Sequence, residues 1–393
     1  MPWKIVGVIG ERLRFVRAAL KPVCAFTQLC RRFGISRRIG YKWVARFRRA
    51  GAPALADRSR RPRRSPRKTP LRWLQALRQL RHRHRHWGAR KIHDRWRRDH
   101  PRVGLPAVRT LAKWIRRLDP PPRRPRSVRG PAVTRPPLTQ PTRPNEVWTA
   151  DFKGWFRTTD GTRCHPLTVR DLHSRFLLAI RVRPRQQHAD VRAVFTGLFR
   201  RFGLPKIIRV DNGSPFGGTG ALGLSVLSVW WLRLGIAVEF IRPGHPEDNG
   251  AHEQMHRELK RETAQPPART LPAQQGRSQR WVRYYNHERP HEALGGGVPA
   301  DRYRRSARGY RGLRPVRYRR NWHRRQVRSN GQIKWQGRMR SIGEAFVGQL
   351  VGLRRCASDC YEVYCGRARL GLLYDHDAGG LRPIRPHHAK PKP

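Results

Sequence analysis

Apolar residues recur every three or four positions over residues 26–49 (FTQLCRRFGISRRIGYKWVARFRR), where Leu29, Phe33, Ile39, Trp43 and Phe47 mark one helical face. Gly34 suits the end of a first helix and Ser36 the N-cap of a second, so residues 1–56 are expected to hold a helix-turn-helix. Its second helix offers Arg37, Arg38, Tyr41, Lys42 and Arg46, side chains suited to a DNA major groove. A second three-helix pattern occupies 71–118. Residues 71–84 are periodic in leucine, 88–98 set Ile92 and Trp96 on one face, and 105–118, with Pro106 near the start, bury Leu111, Trp114 and Ile115. This reads as a second helix-turn-helix-like module.

Two segments break the periodicity. Residues 57–70 (DRSRRPRRSPRKTP) predict an extended basic linker, and 119–145 hold too much proline for a helix or central strand, which predicts a semi-rigid polyproline spacer. From Glu146 onward β-rich runs alternate with helical ones. VWTADFKGWF, HPLTVRDL and RFLLAIRVRP predict three strands at hairpin-like spacing; a helix over 191–202, a strand over 207–211, a helix over 225–234, a strand over 238–241 and a helix over 251–263 follow. Antiparallel strands followed by alternating helices and strands predict an α/β domain over 146–303. Beyond it, Asn330-Gly331 signals a type I′ hairpin, and 361–364 and 370–374 are further strands. A small β-barrel-like domain is expected over 315–376, with a disordered basic tail over 377–393. The whole is multidomain: all-α modules, an α/β core and a small β domain.

Charge sharpens this picture. Lys+Arg number 87 against 25 Asp+Glu, a formal net charge of +62. Such a field attracts polyanions, with nucleic acid the default partner. The excess is mostly arginine, whose planar fork matches phosphates and guanine edges. The cysteines (24, 30, 164, 356, 360 and 365) form no C-x-x-C pair, which argues against a structural zinc site and suits a cytosolic protein. His82, His84 and His86 alternate with arginine and read as a basic helical face. The N-terminal apolar run is too short for a signal peptide, and the longest uncharged stretch, 213–232, is too polar to span a bilayer, so no membrane association is expected.

Against this basic background three acidic residues stand out: Asp151 in VWTADFKG, Asp211 in IIRVDNGSPF and Glu253 in GHPEDNGAHEQMHRELK. The first two end β-rich runs and the third opens a helical pattern. Carboxylates from two strand ends and a helix start can share one cleft. Such a cleft repels phosphates unless divalent cations lie between, which implies Mg²⁺ or Mn²⁺ and chemistry on a nucleic-acid backbone.

Residues 146–303 resemble the integrase catalytic core, the ribonuclease-H-like domain of retroviral integrases and many bacterial insertion-sequence transposases. The resemblance is carried by VWTADF, LTVRDLHSRFLLA, RVDNGSPF, GHPEDNGAHEQMHRELKRE and YNHERPHEALGGGVPADRY, in that order. With the upstream basic helical unit and the WGARKI module, the chain resembles a DDE transposase along most of its length. The resemblance implies Asp151, Asp211 and Glu253 as the catalytic and metal-binding triad, with two ions about 4 Å apart serving in-line displacement at phosphorus. It also implies DNA contacts from His256, Arg257 and Lys260, and a structural role for Arg289, Pro290 and His291. Its partners would be the terminal inverted repeats of the element, target DNA and at least one further copy of the chain. Its setting would be the bacterial cytoplasm, at the nucleoid.

The interval between Asp211 and Glu253 is longer than in retroviral integrases, and Glu247 would shorten it. Glu247 precedes Asp248-Asn249-Gly250, in a turn, whereas Glu253 lies in the helix, and the insert GGTGALGLS accounts for the extra length. Gln254 stands where such transposases often carry Arg. The alternative reading is a catalytically inactive or regulatory DNA-binding protein derived from a transposase. A stand-alone nuclease is disfavoured, since non-specific cutting needs no tandem DNA-reading modules.

Overall fold

Helix α1 (Val8–Leu20), for which the apolar pattern over 26–49 gives no signal, supplies Phe15 and Val16 to the N-terminal core. A computed structural model describes residues 7–21, 24–59, 69–119, 138–152, 154–218, 223–241, 250–377 and 379–383. It divides into two compact units, 1–70 and 71–393. In the first unit, α2 (Phe26–Arg32) and α3 (Arg37–Ala50) form the expected pair. Gly34 takes φ 64°, and Ile35 N–H donates to the Cys30 carbonyl, closing α2. The Ser36 hydroxyl accepts from Ile39 N–H and caps α3. Ile39 itself, expected in the core, is 36% exposed, and Gly40 takes the inward position. A Cβ at Gly40 would lie 2.8 Å from Cys30 Sγ and 2.9 Å from Phe15 Cζ, so only glycine lets α3 approach so closely.

The second unit opens with α4 (Leu71–Arg83), α5 (Ala89–Asp99) and α6 (Val108–Leu118), which bury Trp73, Leu77, Trp87, Ile92, Trp96 and Leu111 together. Helix α6 begins two residues after Pro106. The central sheet is built from β1 (Val147–Phe152), β2 (Phe156–Arg157), β3 (Arg163–Asp171), β4 (Leu177–Arg183), β5 (Ile207–Val210) and β6 (Ala237–Phe240). β3 lies antiparallel to β1, β2 and β4, while β1, β5 and β6 run parallel. Connecting helices α7 (His188–Phe202) and α8 (Val226–Arg233) pack Phe195, Phe199 and Trp231 against Trp148 and Ala150. On the other face lie α9 (Gly250–Thr263) and α10 (Leu271–His287), whose Met255, Leu259, Trp281 and Tyr285 meet Leu177 and Ile180. Burial on both faces explains why β1 reads as an apolar run with little alternation.

Three expectations are corrected here. First, the spacer expected over 119–145 ends early: Thr139 N–H donates to Glu239 at 2.9 Å, and Asn145 N–H to the buried Asp171 carboxylate at 2.7 Å, so 138–145 belong to the core edge. Residues 120–137, like 60–68 of the basic linker, lie outside the described residues. Second, the helical module of 71–118 packs on the core. Its Trp87 and His84 stack with Tyr284 of α10, Lys91 pairs with Glu258 of α9 at 3.4 Å, and Arg98 grips Asp301 of the short α11 (Pro299–Arg302). His84 is thus an aromatic partner rather than part of a basic face; burial, then Arg95, Arg83 and Arg289, push its pKa down to about 4.

Third, the C-terminal domain is an open sheet. β7 (His323–Gln326), β8 (Gln332–Trp335), β9 (Arg338–Ser341), β10 (Leu350–Ala357), β11 (Cys360–Cys365), β12 (Ala368–Tyr374) and β13 (Arg382–Pro383) form one sheet in the order β13-β12-β11-β10-β7 and a separate β8-β9 hairpin. Among the described residues the edges β13 and β7 do not pair, so the expected barrel is not closed. The type I′ geometry falls at Gln336-Gly337 (φ 46° and 74°), not at Asn330-Gly331, where Gly331 alone has positive φ. β13 also shortens the tail expected over 377–393, whose residues 378 and 384–393 lie outside the described residues. Val229 of α8 enters this domain's core beside Phe346 and Val351, and the Arg233 guanidinium donates to Gln349 and to the Arg314 carbonyl.

Candidate active site

Side chains alternate along β1. Trp148 and Ala150 face α7 and α8; Thr149 faces α9, where its hydroxyl meets His252 Nδ1 at 2.9 Å. Asp151, two residues on, shares the Thr149 face. The parallel register pairs Thr149 with Arg209, and Asp211 lies two residues past Arg209 as Asp151 does past Thr149. Asp151 thus lies near the end of β1 and Asp211 directly follows β5, the strand that pairs with it in parallel. Asp211 Oδ1 is buried without a hydrogen-bond partner, and burial, partly countered by backbone N–H groups, raises the pKa of its carboxyl. Glu253 stands exposed in the first turn of α9, while Glu247 falls outside the described residues.

Helix α9 lies on the sheet through His252, Met255, His256 and Leu259, spaced i, i+3, i+4 and i+7. Asp151, His252 and His256 are, among the described residues, the group of three possible ligands whose donor atoms lie within 4.8 Å of one another. Asp211 and Glu253 are not in that group. Thr168 Oγ1 is the hub between the imidazoles: 2.6 Å from His252 Nε2, 2.7 Å from His256 Nε2 and 3.0 Å from the Asp151 carbonyl. His256 Nδ1 lies 3.7 Å from Asp151 Oδ2. Burial holds the His252 pKa well below its ordinary value, so that ring is neutral.

Comparison with known proteins gives these placements a family. Integrase core domain families match residues 141–246 and 234–299, a helix-turn-helix domain 11–63, a homeodomain-like domain 39–115, and the C-terminal domain of IS481 family transposases 323–375. Together these matches support an insertion-sequence integrase-core transposase. It is 27% identical over 224 residues to an uncharacterized 39.2 kDa protein of insertion element IS476 from Xanthomonas euvesicatoria, covering 55% of this chain and 60% of that one. It is also 27% identical over 230 residues to an uncharacterized 31.7 kDa protein of insertion element IS407 from Burkholderia multivorans, covering 57% and 77%. The chain thus spans about three fifths of the first relative. Solved structures similar to it include the HTLV-2 integrase catalytic core domain in complex with magnesium (12% identity, 42% of this chain and 100% of that one, TM-score 0.31). Another is the simian T-cell lymphotropic virus intasome in complex with a PP2A regulatory subunit (13%, 79% and 100%, TM-score 0.37).

The stripe expected to carry His256, Arg257 and Lys260 is split. Arg257 and Lys260 are exposed with Glu253, but His256 is 3% exposed and faces the sheet, because i+3 falls on the apolar side of α9. His256 is therefore not at a DNA-facing surface. Arg37, Arg38, Tyr41 and Lys42 are exposed on α3, Tyr41 stacked on Phe26 at 4.3 Å, whereas Arg46 is half-buried over the Trp43 ring. Arg289 and His291 are buried, the former paired with Glu258 and Glu262, in keeping with a structural role. His252, Thr149 and Thr168 are not among the residues that the sequence motifs single out. One signal was available: His252-Glu253-Gln254-Met255-His256 is an H-E-x-x-H run, which puts two imidazoles on one helical face. Nothing local marked the threonines, which sequence separates widely from α9. Among the described residues no helix is long and apolar enough to cross a membrane.

Proposed function

We propose that this transposase cleaves DNA at the ends of its element and joins the freed 3′-hydroxyl to a target phosphodiester. The observation that supports the reading is the parallel β1–β5 pair, with Asp151 near the end of one strand and Asp211 directly after the other, together with His252, the neighbour of Glu253 in the first turn of α9, against Thr149 of β1. Asp211 fits a cation: a half-buried carboxylate with an unpartnered oxygen is costly to ionise unless a positive charge compensates it. Asp151, Asp211 and Glu253 would hold divalent ions, two Mg²⁺ or Mn²⁺. Such ions, when bound, supply Lewis-acid stabilisation of the charge that develops at phosphorus.

The chain's own residues orient the rest. Arg257 and Lys260, on the exposed side of α9 with Glu253, hold DNA phosphates in line with the carboxylates. Water attacks the phosphodiester at the element end and loses a proton while the 3′-oxygen leaves as a hydroxyl; that hydroxyl then attacks a target phosphorus and gives up its proton, and the target's own 3′-oxygen leaves and takes one up. No protein nucleophile is required. Exposed Arg37, Arg38, Tyr41 and Lys42 of α3 read the terminal repeats, and handling two ends calls for at least two copies. Its DNA substrate sets its place in the bacterial cytoplasm, at the nucleoid.

The test is a strand-transfer assay on duplexes ending in the element's terminal repeats. Activity is expected with Mg²⁺ or Mn²⁺ and lost in excess EDTA. Glu253→Gln should abolish joining while terminal-repeat binding stays near wild type, and Glu247→Gln should keep substantial activity. An inactive Glu247→Gln with an active Glu253→Gln would reverse the assignment of the third carboxylate, and joining in EDTA would remove the metal mechanism.

A further inference from the structure

Strand β3 outruns its neighbour. It begins at Arg163, whereas β1 ends at Phe152 opposite Leu167, so the 163–166 end of β3 extends past β1 by about 14 Å. Strands β2 and β4 flank this end: Arg157 pairs with Arg163, His165 with Arg183, and Leu167 with Arg181. Directly paired residues share a face, as do alternate residues of one strand. Leu167 and Val169 lie in the core under α7 and α8, whereas Thr168 meets the histidines of α9. Arg157, Arg163, Arg181 and Arg183 therefore project on the α7 side, the face opposite Asp151 but at the same end of the sheet.

Trp155 completes this surface. Its side chain is 55% exposed, with the Arg163 guanidinium 5.1 Å and the Arg157 guanidinium 5.9 Å from the ring centroid, so neither stacks flat on the indole. Among the described residues none of the four guanidiniums pairs with a carboxylate. Arg157 donates to the Gly161 carbonyl at 2.7 Å, and Arg183 Nε is buried without a partner. Burial, then Arg183 and Arg201, lower the pKa of Arg181. The acid of the β2–β3 turn, Asp160, is held by the Thr158 hydroxyl and the Thr162 N–H instead. Like charges facing each other across two strands, as Arg157 and Arg163 do, repel until an anion lies over them.

We propose that this surface binds single-stranded DNA, with an unpaired base stacked on Trp155 and the adjoining phosphates held by Arg157, Arg163 and Arg183. An exposed indole beside unpaired guanidiniums matches the two halves of a nucleotide, a π-face and a phosphate. Bases inside a duplex are covered on both faces by their neighbours, so the indole can stack only on a base that has left the helix. Every base offers a π-face, and phosphates carry no sequence, so binding here tolerates any sequence. An acidic peptide would satisfy the arginines and leave the indole in water. The site uses neither the carboxylates nor α3, and it goes beyond the cleavage and joining proposed for the other face of the sheet.

The experiment is photocrosslinking of the full chain, in EDTA, to a thymine-rich oligonucleotide carrying 5-iodouracil, offered as a single strand or as a fully paired duplex, with adducts mapped by mass spectrometry. An adduct on Trp155 is expected with the single strand and not with the duplex. Trp155→Leu should lower single-strand affinity about tenfold and leave duplex affinity unchanged, while Trp155→Tyr, which keeps a ring, should retain most of it. Arg163→Gln and Arg183→Gln should each flatten the fall of log affinity with log salt by about 0.7, the share of one phosphate on a single strand. A single strand that crosslinks only elsewhere, an equal Trp155 adduct on the duplex, or wild-type single-strand affinity in Trp155→Leu would each overturn the proposal. With metal withheld throughout, none of these outcomes bears on strand transfer, and failure of strand transfer leaves them unchanged.

Discussion

The indole Nε1–H of Trp87 donates to the phenol oxygen of Tyr284 at 2.6 Å, joining the second helical module to α10 of the α/β core. His84 lies on the same junction, stacked on Trp87 at 4.1 Å with an interplanar angle of 10° and on Tyr284 at 5.3 Å. Around this aromatic stack, Lys91–Glu258 and Arg98–Asp301 complete the contact. Glu258 also pairs with the buried Arg289, so the module touches α9 little more than one turn beyond Glu253. Docking and the candidate active site share a helix.

Trp87→Ala should therefore destabilise the second unit by about 3–5 kcal/mol, the range for removing a buried Trp side chain. Trp87 is 1% exposed, so the truncation leaves a cavity and removes the indole N–H from the Tyr284 hydroxyl. Trp87→Phe keeps a ring in the stack and loses the N–H, a cost of about 1 kcal/mol. Urea unfolding ranks the three proteins, and limited proteolysis should cut Trp87→Ala faster than wild type. Equal unfolding midpoints for Trp87→Ala and wild type would refute the docking role.

Acidity should weaken the same junction. The folded pKa of His84 is about 4, below the ordinary 6.5, chiefly through burial. The unfolded chain therefore takes up a proton between these values while the folded one does not, so the stabilisation from neutral His84 is present above pH 6.5 and lost as pH falls towards 4. His84→Phe retains an aromatic ring with nothing to protonate. Its stability should exceed wild type by more at pH 5 than at pH 7.5, read from urea midpoints at each pH. His291, also held neutral by burial, remains in both proteins and cancels in the difference. A difference that does not change with pH would show that His84 does not titrate on unfolding.

In the N-terminal unit, recognition and packing separate by residue. Arg38→Ala and Lys42→Ala should weaken binding to terminal-repeat duplexes by roughly 1–3 kcal/mol each if they reach base edges, with little change in stability. Gly40→Ala should cost about 1–3 kcal/mol of stability by overpacking, since its Cβ would press on Cys30 and Phe15. Binding is measured by titration at fixed salt and stability by Trp43 fluorescence during unfolding. Loss of affinity for a scrambled duplex equal to that for the terminal repeat would reduce Arg38 and Lys42 to phosphate contacts.

Much of this molecule is local in origin. The helix-turn-helix could be read because its determinants lie within a few residues: Gly34 ends α2 and Ser36 caps α3. The core strands could be read because β-rich runs around Asp151 and Asp211 end in turn residues, and each acidic residue sits at a predictable strand end. Helix α9 is visible as a period, although its register is not: the spacing from Glu253 puts His256 on the exposed stripe, and the apolar neighbours Met255 and Leu259 turn it inward.

Sequence by itself determined the order of the elements, the basic character of the chain and the carboxylates Asp151, Asp211 and Glu253 as candidates. Tertiary structure alone decided the rest. Among the described residues the small β domain has no closing strand pair, because β7 and β13 occupy opposite edges, a long-range outcome that local propensity does not encode. The hairpin signal at Asn330-Gly331 lost to Gln336-Gly337, since the register of β8 on β9 puts positive φ at the latter pair. His84 became a neutral docking ring, and His252 and His256 met a threonine far from them in sequence, because each needs a partner from another element before its burial and protonation are defined. A side chain's intrinsic chemistry travels with the sequence; its pKa, tautomer and partners belong to the packed fold.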